Sequence, residues 1–555
     1  MPRQTSTILC LLCLLWPGLA ACSKRPSSAP PHTLRLSQRN EPSSLDPALA
    51  SLPDDFFIIR ALSEGLVSPA TDSSVVPVSN SDLPAIGHRQ STFPSVRPAA
   101  AASWDISSDG LTYTFHLRPS GVWSNGEPIT AADFLASYRR LLTPATAAPK
   151  ASLFFAVKNA RAFAAGALTD FSLVGFAAPD PHTLVVTLAH PFPQFLLYAA
   201  SGPWIPVNPR AVARFGPDWT RPENYVGNGP FTLAAWRPHQ RIVVKRNPRY
   251  HAAPAVHLDE IDFIAFDDGD TEERAFRAGQ IDITMAVPFS KLDVYAREHA
   301  AEFHRTPLAE TRFLAFNTAR PPLDDPRVRR ALSLALDREE IVRRVLRGGE
   351  QPAAALIPPA LAPDPSHPSS LSDSSHSSDL ATARALLAAA GYPGGRNFPH
   401  LELSAWARSQ APILEAIQSM WHDHLGIEVR LAIREAKVHL AALGNARYDI
   451  GFVTIIPDLA DPLDVLDGFT TASPENYPHW SDATYDALVA EAARTPDPAR
   501  QSLLLQEAEN RLLADAPLVP LYFNAKHWLM SPRVHGWHED ALWTRDYLGV
   551  SVDAP

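Results

Sequence analysis

The chain has 555 residues, of which 46% are hydrophobic and 19% charged, and it carries a formal net charge of −10. A chain of this length is too long for one hydrophobic core, so two or three packed domains are expected. The acidic balance argues against nucleic-acid binding, which needs a basic surface, and we expect no nucleic-acid partner.

The first 22 residues predict a secretory signal with a lipid attachment site. Arg3 provides a positive start, residues 8–15 form an unbroken apolar run, and small residues lead to Cys22. The run is too short to cross a membrane as an ordinary helix. Residues 19–22, LAAC, resemble the lipobox of bacterial lipoproteins, in which a diacylglycerol is attached to the cysteine before cleavage. We therefore expect a signal peptide at 1–21 and lipidation at Cys22. An ordinary cleaved signal with an incidental cysteine is the alternative.

All three cysteines of the chain lie in this leader and its lipobox. The mature protein is therefore predicted to have no disulfide and to depend on its hydrophobic core alone. Residues 22–32 are rich in serine and proline, and they are predicted to form a flexible tether between the lipid and the folded body.

Strand and helix patterns follow one another through the rest of the chain. Alternation of apolar and polar residues predicts strands, and apolar residues at helical spacing predict helices. Two stretches, 71–102 and 364–379, are rich in small and polar residues and are predicted to be exposed loops. In chain order, the predicted strands are 33–37, 111–117, 183–188 and 241–245, and the predicted helices are 327–346, 379–391 and 498–513. This mixture predicts an α/β chain of several lobes.

Two polar clusters resemble metal sites but have simpler explanations. The acidic run 267–273, DDGDTEE, lacks the ligand spacing of an EF-hand, and Asp270 or Thr271 is predicted to cap the helix that follows. The histidines in and near 364–379 are irregularly spaced and have no partners there. We therefore expect no metal and no cofactor.

The sharpest local motif is residues 123–134, WSNGEPITAADF. Asn125 and Gly126 form a tight-turn pair, and Pro128 fixes the exit of the turn. Thr130 is a predicted helix N-cap, and Asp133 lies three residues later, as in a capping box. The motif predicts a strand, a turn and a capped helix.

This motif and others in the same order resemble the bacterial extracellular solute-binding proteins of family 5, the oligopeptide- and dipeptide-binding receptors of ABC importers. The resemblance runs the length of the mature chain. The strings that carry it are SLDP (44–47), EGL (64–66), WSNGEPITAADF (123–134), NGPF (228–231), RNPRY (246–250), FN (316–317), PLDDPRVRRAL (322–332), ALDR (335–338) and VPLY (519–522).

The resemblance implies an α/β fold, a periplasmic-binding-protein-like class II clamshell of two lobes with a ligand cleft between them. An extra α/β domain is implied within the first lobe. The boundaries expected here are 33–63, 205–310 and 525–555 for the first lobe, 64–204 for the extra domain, and 311–524 for the second lobe. The chain then crosses between the lobes twice, so closure can be a hinge motion.

The resemblance also implies a ligand-binding aspartate. In the oligopeptide receptors an aspartate holds the α-ammonium group of the peptide, and Asp458 in IIPDLADP (455–462) matches it. A carboxylate that loses water needs a cation or several donors, and a peptide N-terminus supplies both. The alternative is that Asp458 caps a turn before Pro462. Candidate aromatic residues of the cleft are Trp406, Tyr477, Trp480 and Tyr522, each of which can equally be an ordinary core residue.

The chain departs from the family pattern where a peptide carboxylate would bind. Phe452 and Leu443 stand where the oligopeptide receptor carries arginine, and Ile455 and Ile456 replace tryptophan and glycine. Lys150 and Lys437 are the candidate substitutes.

We predict a substrate-binding receptor that captures short peptides and delivers them to the permease subunits of an ABC importer. It is expected to be a monomer, lipid-anchored to a membrane on the periplasmic side of the cell envelope. The alternatives are a receptor for an oligosaccharide, opine, haem or nickel chelate, and an envelope lipoprotein without a transport role.

An enzyme is not expected. The sequence contains no GxSxG, HExxH or GxxxxGK[ST] motif. His422 and His424 are two residues apart, so on a helix they do not share a face.

Overall fold

Strands and helices alternate along the chain in the computed structural model, which describes residues 32–39, 41–70, 96–361 and 376–554. The predicted signal peptide, Cys22 and the tether up to residue 31 lie outside the described residues. The strands are β1 (Thr33–Gln38), β2 (Val67–Pro69), β3 (Val96–Pro98), β4 (Ala101–Ile106), β5 (Thr112–Leu117), β6 (Phe176–Asp180), β7 (Thr183–Thr187), β8 (Phe231–Arg237), β9 (Arg241–Arg246), β10 (Glu260–Ala265), β11 (Phe303–Phe316), β12 (Gln351–Pro352), β13 (Leu401–Ala405), β14 (Val429–Ile433), β15 (Ile450–Ile455), β16 (Leu518–Leu529), β17 (Val534–His535), β18 (His538–Glu539), β19 (Arg545–Asp546) and β20 (Ser551–Val552).

Helices cover the faces of the sheets and join the strands. They are α1 (Pro53–Leu62), α2 (Ala131–Leu142), α3 (Ala160–Ala164), α4 (Phe195–Ala199), α5 (Pro209–Phe215), α6 (Gly269–Arg277), α7 (Leu292–Glu298), α8 (Pro326–Leu334), α9 (Arg338–Glu340), α10 (His376–Ala389), α11 (Ala411–Leu425), α12 (Ala436–Gly444), α13 (Pro462–Asp467), α14 (Ala483–Ala492) and α15 (Pro498–Asp515). None of the described helices is both long enough and apolar enough to cross a membrane.

Three sheets organise the described residues. The first lobe is built on the order β1-β10-β9-β8, and the extra domain on β4-β5-β7-β6. The second lobe is built on β12-β16-β11-β15-β13-β14, in which β13 is parallel to β14 and β15 while β11 is antiparallel to β15 and β16. The fold is a mixed α/β clamshell of two lobes with an extra domain, as the sequence predicts.

Two long strands connect the lobes. β11 and β16 pair antiparallel from Phe303 opposite Leu529 to Ala315 opposite Leu518, and their register shifts between Pro307 and Thr311. At the first-lobe end, the Thr284 N–H donates to the Leu529 carbonyl at 2.9 Å. A register shift interrupts the hydrogen-bond ladder and bends a strand, so the two lobes are joined at a locally irregular pair of strands.

The extra domain is attached to the first lobe through polar contacts on the sequence motifs. Asn228 of NGPF donates to the Glu64 carbonyl at 3.0 Å and accepts from the Glu64 N–H at 3.0 Å. A Cβ on Gly229 would lie 2.5 Å from the Ser63 backbone nitrogen, so only glycine fits at this approach. Arg140 of the extra domain also pairs with Asp46 of SLDP. These motif residues therefore fix how the segment at 63–64 crosses the segment at 228–229.

The motif at 123–134 forms as predicted. Asp133 accepts from the Thr130 N–H at 2.9 Å and from the indole N–H of Trp123 at 3.3 Å. Trp123 is fully buried, which contributes about 1.5–3 kcal/mol. The turn, the helix start and the core of the extra domain are thus linked through one carboxylate.

Most predicted strands and helices are confirmed to within a few residues. The predicted helix 327–346 is wrong as a single helix, because α8 ends at Leu334 and a new start is capped by Asp337, which accepts from the Glu340 N–H at 2.8 Å. An aspartate that bonds nearby backbone favours such a start over helix continuation. After α9, residues Ile341–Leu346 continue as a π-helix.

Two other sequence expectations need correction. The predicted loop 71–102 ends too late, because β3 and the start of β4 lie within it and Ala101 is fully buried in pairing with β5. Residues 71–95 and 362–375 lie outside the described residues. The cap of α6 is Asp268, which accepts from the Thr271 N–H at 2.8 Å, rather than Asp270 or Thr271. In addition, α10 begins at His376, before the predicted Asp379.

Candidate functional site

The carboxyl ends of parallel strands in the second lobe meet at one edge of its sheet. Trp406 follows β13 directly, and Asp458 lies three residues after the end of β15. Arg312 is at the same edge, because β11 runs antiparallel to β15 and pairs Arg312 with Thr454. Ligands of open α/β sheets bind outside the carboxyl ends of the strands. We call the edge that carries Trp406, Arg312 and Asp458 the carboxyl edge.

Local hydrogen bonds tie the Asp458 backbone to the first turn of α13 without using the Asp458 carboxylate. Its N–H donates to Asp464 at 2.6 Å, and the Leu459 N–H donates to the same carboxylate oxygen at 3.2 Å. Asp461, not Asp458, caps α13 by accepting from the Leu463 N–H at 3.0 Å. The carboxylate of Asp458 is therefore not used as a local cap.

The Asp458 carboxylate is paired with Lys150 of the extra domain. Lys150 Nζ donates to both carboxylate oxygens at 2.8 Å, and the two side chains are 25% and 36% exposed. Gln194 of the extra domain also donates to Gln501 of the second lobe at 2.7 Å. The extra domain and the second lobe are thus in direct polar contact at the carboxyl edge.

Further carboxyl groups surround this ion pair. Burial raises the pKa of Asp461 to about 6, and burial together with the Asp458 charge raises the pKa of Asp464 to about 8. Glu475, an exposed residue, lies within electrostatic range of both Lys150 and Asp458. With a pKa of about 8, Asp464 is largely protonated at neutral pH, so the Asp458 carboxylate itself is the charge that favours a cationic group here.

The raised pKa of Asp461 predicts a pH-dependent gain from Asp461→Asn. A folded-state pKa of about 6 against 3.8 means that the folded protein binds the extra proton, so stability falls as the pH rises from about 4 through 6. Asparagine is also a good N-cap, so the helix start is kept. We expect the variant to be more stable by about 2–3 kcal/mol above pH 7, with little gain at pH 4.

Chemical denaturation at pH 4, 6 and 8 checks this prediction. The conservative control is Asp482→Asn at the N-cap of α14, whose carboxylate has a lowered pKa because of its hydrogen bond with Arg511, and which should lose stability at pH 8. A gain for Asp461→Asn that does not change with pH would contradict the explanation.

A second polar group lies at the carboxyl edge where β11 and β16 meet. Glu310 accepts from Arg312 at 2.5 Å, from the Thr454 hydroxyl at 2.9 Å and from the Asn524 amide at 2.9 Å. The Arg312 guanidinium lies 5.5 Å from the centre of the Trp406 ring. Sequence reasoning missed this group, although Glu310 and Arg312 are charged residues within the mostly apolar second half of β11.

The structure separates the four aromatic candidates. Trp406 lies at the carboxyl edge, and Tyr522, 4% exposed, pairs with Arg312 in the sheet. The Tyr477 carbonyl accepts from Tyr448, just before β15, and the Trp480 indole donates to Asp515, just before β16. Since β15 and β16 start there, those contacts are at the opposite edge of the sheet. The structure does not bring Trp480 and the Tyr477 backbone to Asp458.

The positions of the expected arginines are apolar and buried. Leu443 and Phe452 are both fully buried. Lys437 is exposed on α12, and Lys150 contacts Asp458 rather than facing an open carboxylate site. Arg312 is a cation close to the place of those arginines, because its ring partner Trp406 lies 5.7 Å from the Phe452 ring.

The histidine pair at the end of α11 serves local contacts. His422 Nδ1 lies 2.9 Å from Asp423, whereas His424 Nδ1 lies 2.8 Å from the Ala335 carbonyl. In the described ranges, no group of three or more His, Cys, Asp or Glu side chains is arranged to hold a metal ion.

Comparison with known proteins decides the family. The model for "Bacterial extracellular solute-binding proteins, family 5 Middle" matches residues 95–477. The chain belongs to this family. It is therefore a solute-binding protein by descent.

The proteins that this chain resembles are named for different ligands. The chain is 31% identical over 512 residues to the probable deoxycholate-binding periplasmic protein YgiS of Escherichia coli K12, covering 92% of this chain and 91% of the relative. It is 30% identical over 510 residues to the periplasmic oligopeptide-binding protein OppA of the same organism, covering 91% and 89%. The structure of the E. coli murein tripeptide binding protein MppA superposes with a TM-score of 0.80 at 28% identity, covering 94% and 99%.

Proposed function

We propose that the protein is the substrate-binding receptor of an ABC importer, and that it captures short peptides with a free N-terminus at the carboxyl edge. Asp458 holds the α-ammonium group of the peptide. The observation that carries this proposal is the Asp458 carboxylate, which is free of local capping and already holds a primary ammonium group, that of Lys150, at 2.8 Å. A site that binds one ammonium has the charge and acceptors for another.

The relatives support a peptide ligand. OppA is named as an oligopeptide-binding protein and MppA as a murein tripeptide binding protein. Recognition of varied peptides depends on main-chain hydrogen bonds, which tolerate many side chains. Peptide binding therefore needs a fixed charge at the ammonium end more than a pocket for one side chain.

The proposed working cycle rests on the lobe boundaries expected from the sequence. Residues 33–63, 205–310 and 525–555 form the first lobe, 64–204 the extra domain and 311–524 the second lobe. A monomer closes over the peptide about the irregular β11–β16 pair and delivers it to the permease subunits. The receptor binds and releases its ligand without catalysis.

A non-peptide anion is the second candidate ligand. Two observations favour it: Lys150 supplies a cation at the carboxyl edge, and YgiS is named as a probable deoxycholate-binding protein. An anionic ligand would pair with Lys150 and leave Asp458 to another partner.

Native mass spectrometry of protein purified from cells tests the two candidates. Peptide masses that disappear after denaturation and dialysis would support the proposed function. A single non-peptide acid would support the second candidate and contradict the first.

We also propose that Cys22 anchors the receptor by lipid to a membrane on the periplasmic side of the envelope. Each buried CH₂ of an acyl chain contributes about 0.8 kcal/mol, and two or more chains hold a protein stably. Cys22→Ala is therefore expected to move the protein from the membrane fraction to the soluble fraction of the envelope. Cell fractionation with immunoblotting checks this. Equal membrane association of wild type and variant would show that Cys22 is not the anchor.

A further inference from the structure

We propose that the Lys150 ammonium group competes with the α-ammonium group of a peptide for the Asp458 carboxylate. Because Lys150 belongs to the same chain, this competition sets how strongly a peptide N-terminus must bind to be captured. The inference rests on the proposed role of Asp458. In the unliganded protein the chain's own ammonium group occupies the place of the ligand's, so peptide binding is an exchange rather than an addition.

The geometry of the pair makes the competition direct. Lys150 Nζ contacts both Asp458 oxygens at 2.8 Å. An α-ammonium and a lysine ammonium carry the same charge and the same three N–H donors. A peptide that binds Asp458 with full charge-assisted hydrogen bonds must therefore displace Lys150 from at least one oxygen.

The location of Lys150 links this exchange to the arrangement of the lobes. The residue lies just before the turn Ala151–Phe154 of the extra domain, whereas Asp458 belongs to the second lobe, 308 positions away in sequence. Displacement therefore breaks a contact between the extra domain and the second lobe. Glu475 lies within range of Lys150 and offers the displaced ammonium another carboxylate.

The exposure of the pair limits the size of the effect. Both side chains reach solvent, at 25% and 36%, and exposed ion pairs are weak. A tethered group nevertheless competes at an effective concentration of about millimolar. We expect Lys150 to weaken the binding of peptides with a free N-terminus by about 2- to 5-fold.

Calorimetry on Lys150→Met with a fixed set of tripeptides, free and N-acetylated, tests the proposal. The variant should bind the free tripeptides about 2- to 5-fold more tightly and the acetylated ones unchanged. Lys158→Met is the matched control, since it removes an exposed lysine of the same extra domain, and it should leave both affinities unchanged. Lys150→Gln, which keeps a long polar side chain, provides a second variant if Lys150→Met does not fold.

The outcomes separate this inference from the proposed function. Equal binding of free and acetylated tripeptides by the wild type overturns the role of Asp458 and this inference with it. If the wild type binds free tripeptides more tightly than acetylated ones, while both Lys150 variants bind the free tripeptides with unchanged or weaker affinity, the inference alone is overturned.

Discussion

Asp458→Asn is expected to weaken the binding of tripeptides with a free N-terminus by at least about 30-fold. A bound peptide and the closed lobes would bury this pair, and removing one charged partner of a buried hydrogen-bonded pair costs about 2–5 kcal/mol, where 1.4 kcal/mol is a factor of ten. Asparagine keeps the shape and one carbonyl acceptor but loses the charge and the second acceptor. The Asp458 N–H bond to Asp464 involves only backbone on the Asp458 side, so the loop should keep its conformation.

A second variant that removes a nearby charge distinguishes direct contact with the ligand from a general electrostatic effect on affinity. Asp467→Asn alters a carboxylate at the end of α13 in the same segment, and it should change the affinity by less than about 3-fold because screened surface charges interact weakly. Isothermal titration calorimetry measures both variants. Wild-type affinity in Asp458→Asn would remove this residue from the site.

Arg329→Met is expected to destabilise the second lobe by about 3–5 kcal/mol, the largest effect on folding that we predict. Arg329 is 2% exposed. It donates to the carbonyls of Leu323, Asp324, Asp515 and Ala516 and to the Asp515 carboxylate, at 2.7–3.2 Å. These bonds join the start of α8 to the segment before β16, so methionine would leave several polar groups without this donor.

The neighbouring arginine provides the control for this variant. Arg330 follows on the same helix and is exposed, so Arg330→Met should change stability by less than about 0.5 kcal/mol. Differential scanning calorimetry should show the melting temperature falling by roughly 6–15 °C in Arg329→Met only. Equal melting temperatures for the two variants would contradict the account of the buried network.

Local patterns predicted much of the fold because they depend on neighbouring residues. The alternation in Thr112–Leu117 and the Thr130–Asp133 cap are decided within a few residues, and both form as expected. The helix at 327–346 was predicted wrongly because Asp337 competes for backbone N–H groups, which periodicity does not reveal. The strand Ala101–Ile106 was not predicted, because its burial comes from pairing with β5, a tertiary effect.

The site was predictable only where a motif fixed its register. Asp458 could be singled out from its position before Asp461 and Pro462. Its partnership with Lys150 could not, because the two residues are 308 positions apart and meet only through the packing of the extra domain on the second lobe. The Glu310–Arg312 group was missed for a related reason, since its partners Thr454 and Asn524 come from two other strands.

Asp458 is proposed to receive a peptide's α-ammonium group at the carboxyl edge. The most direct measurement is calorimetric titration of the wild-type protein, freed of carried ligand, with a set of tripeptides and with the same tripeptides N-acetylated. We predict that at least one free tripeptide binds and that its acetylated form binds at least about 30-fold more weakly, since a charged hydrogen-bonded pair is lost. Equal affinity for the free and acetylated forms, or no binding of any free tripeptide, would contradict the claim.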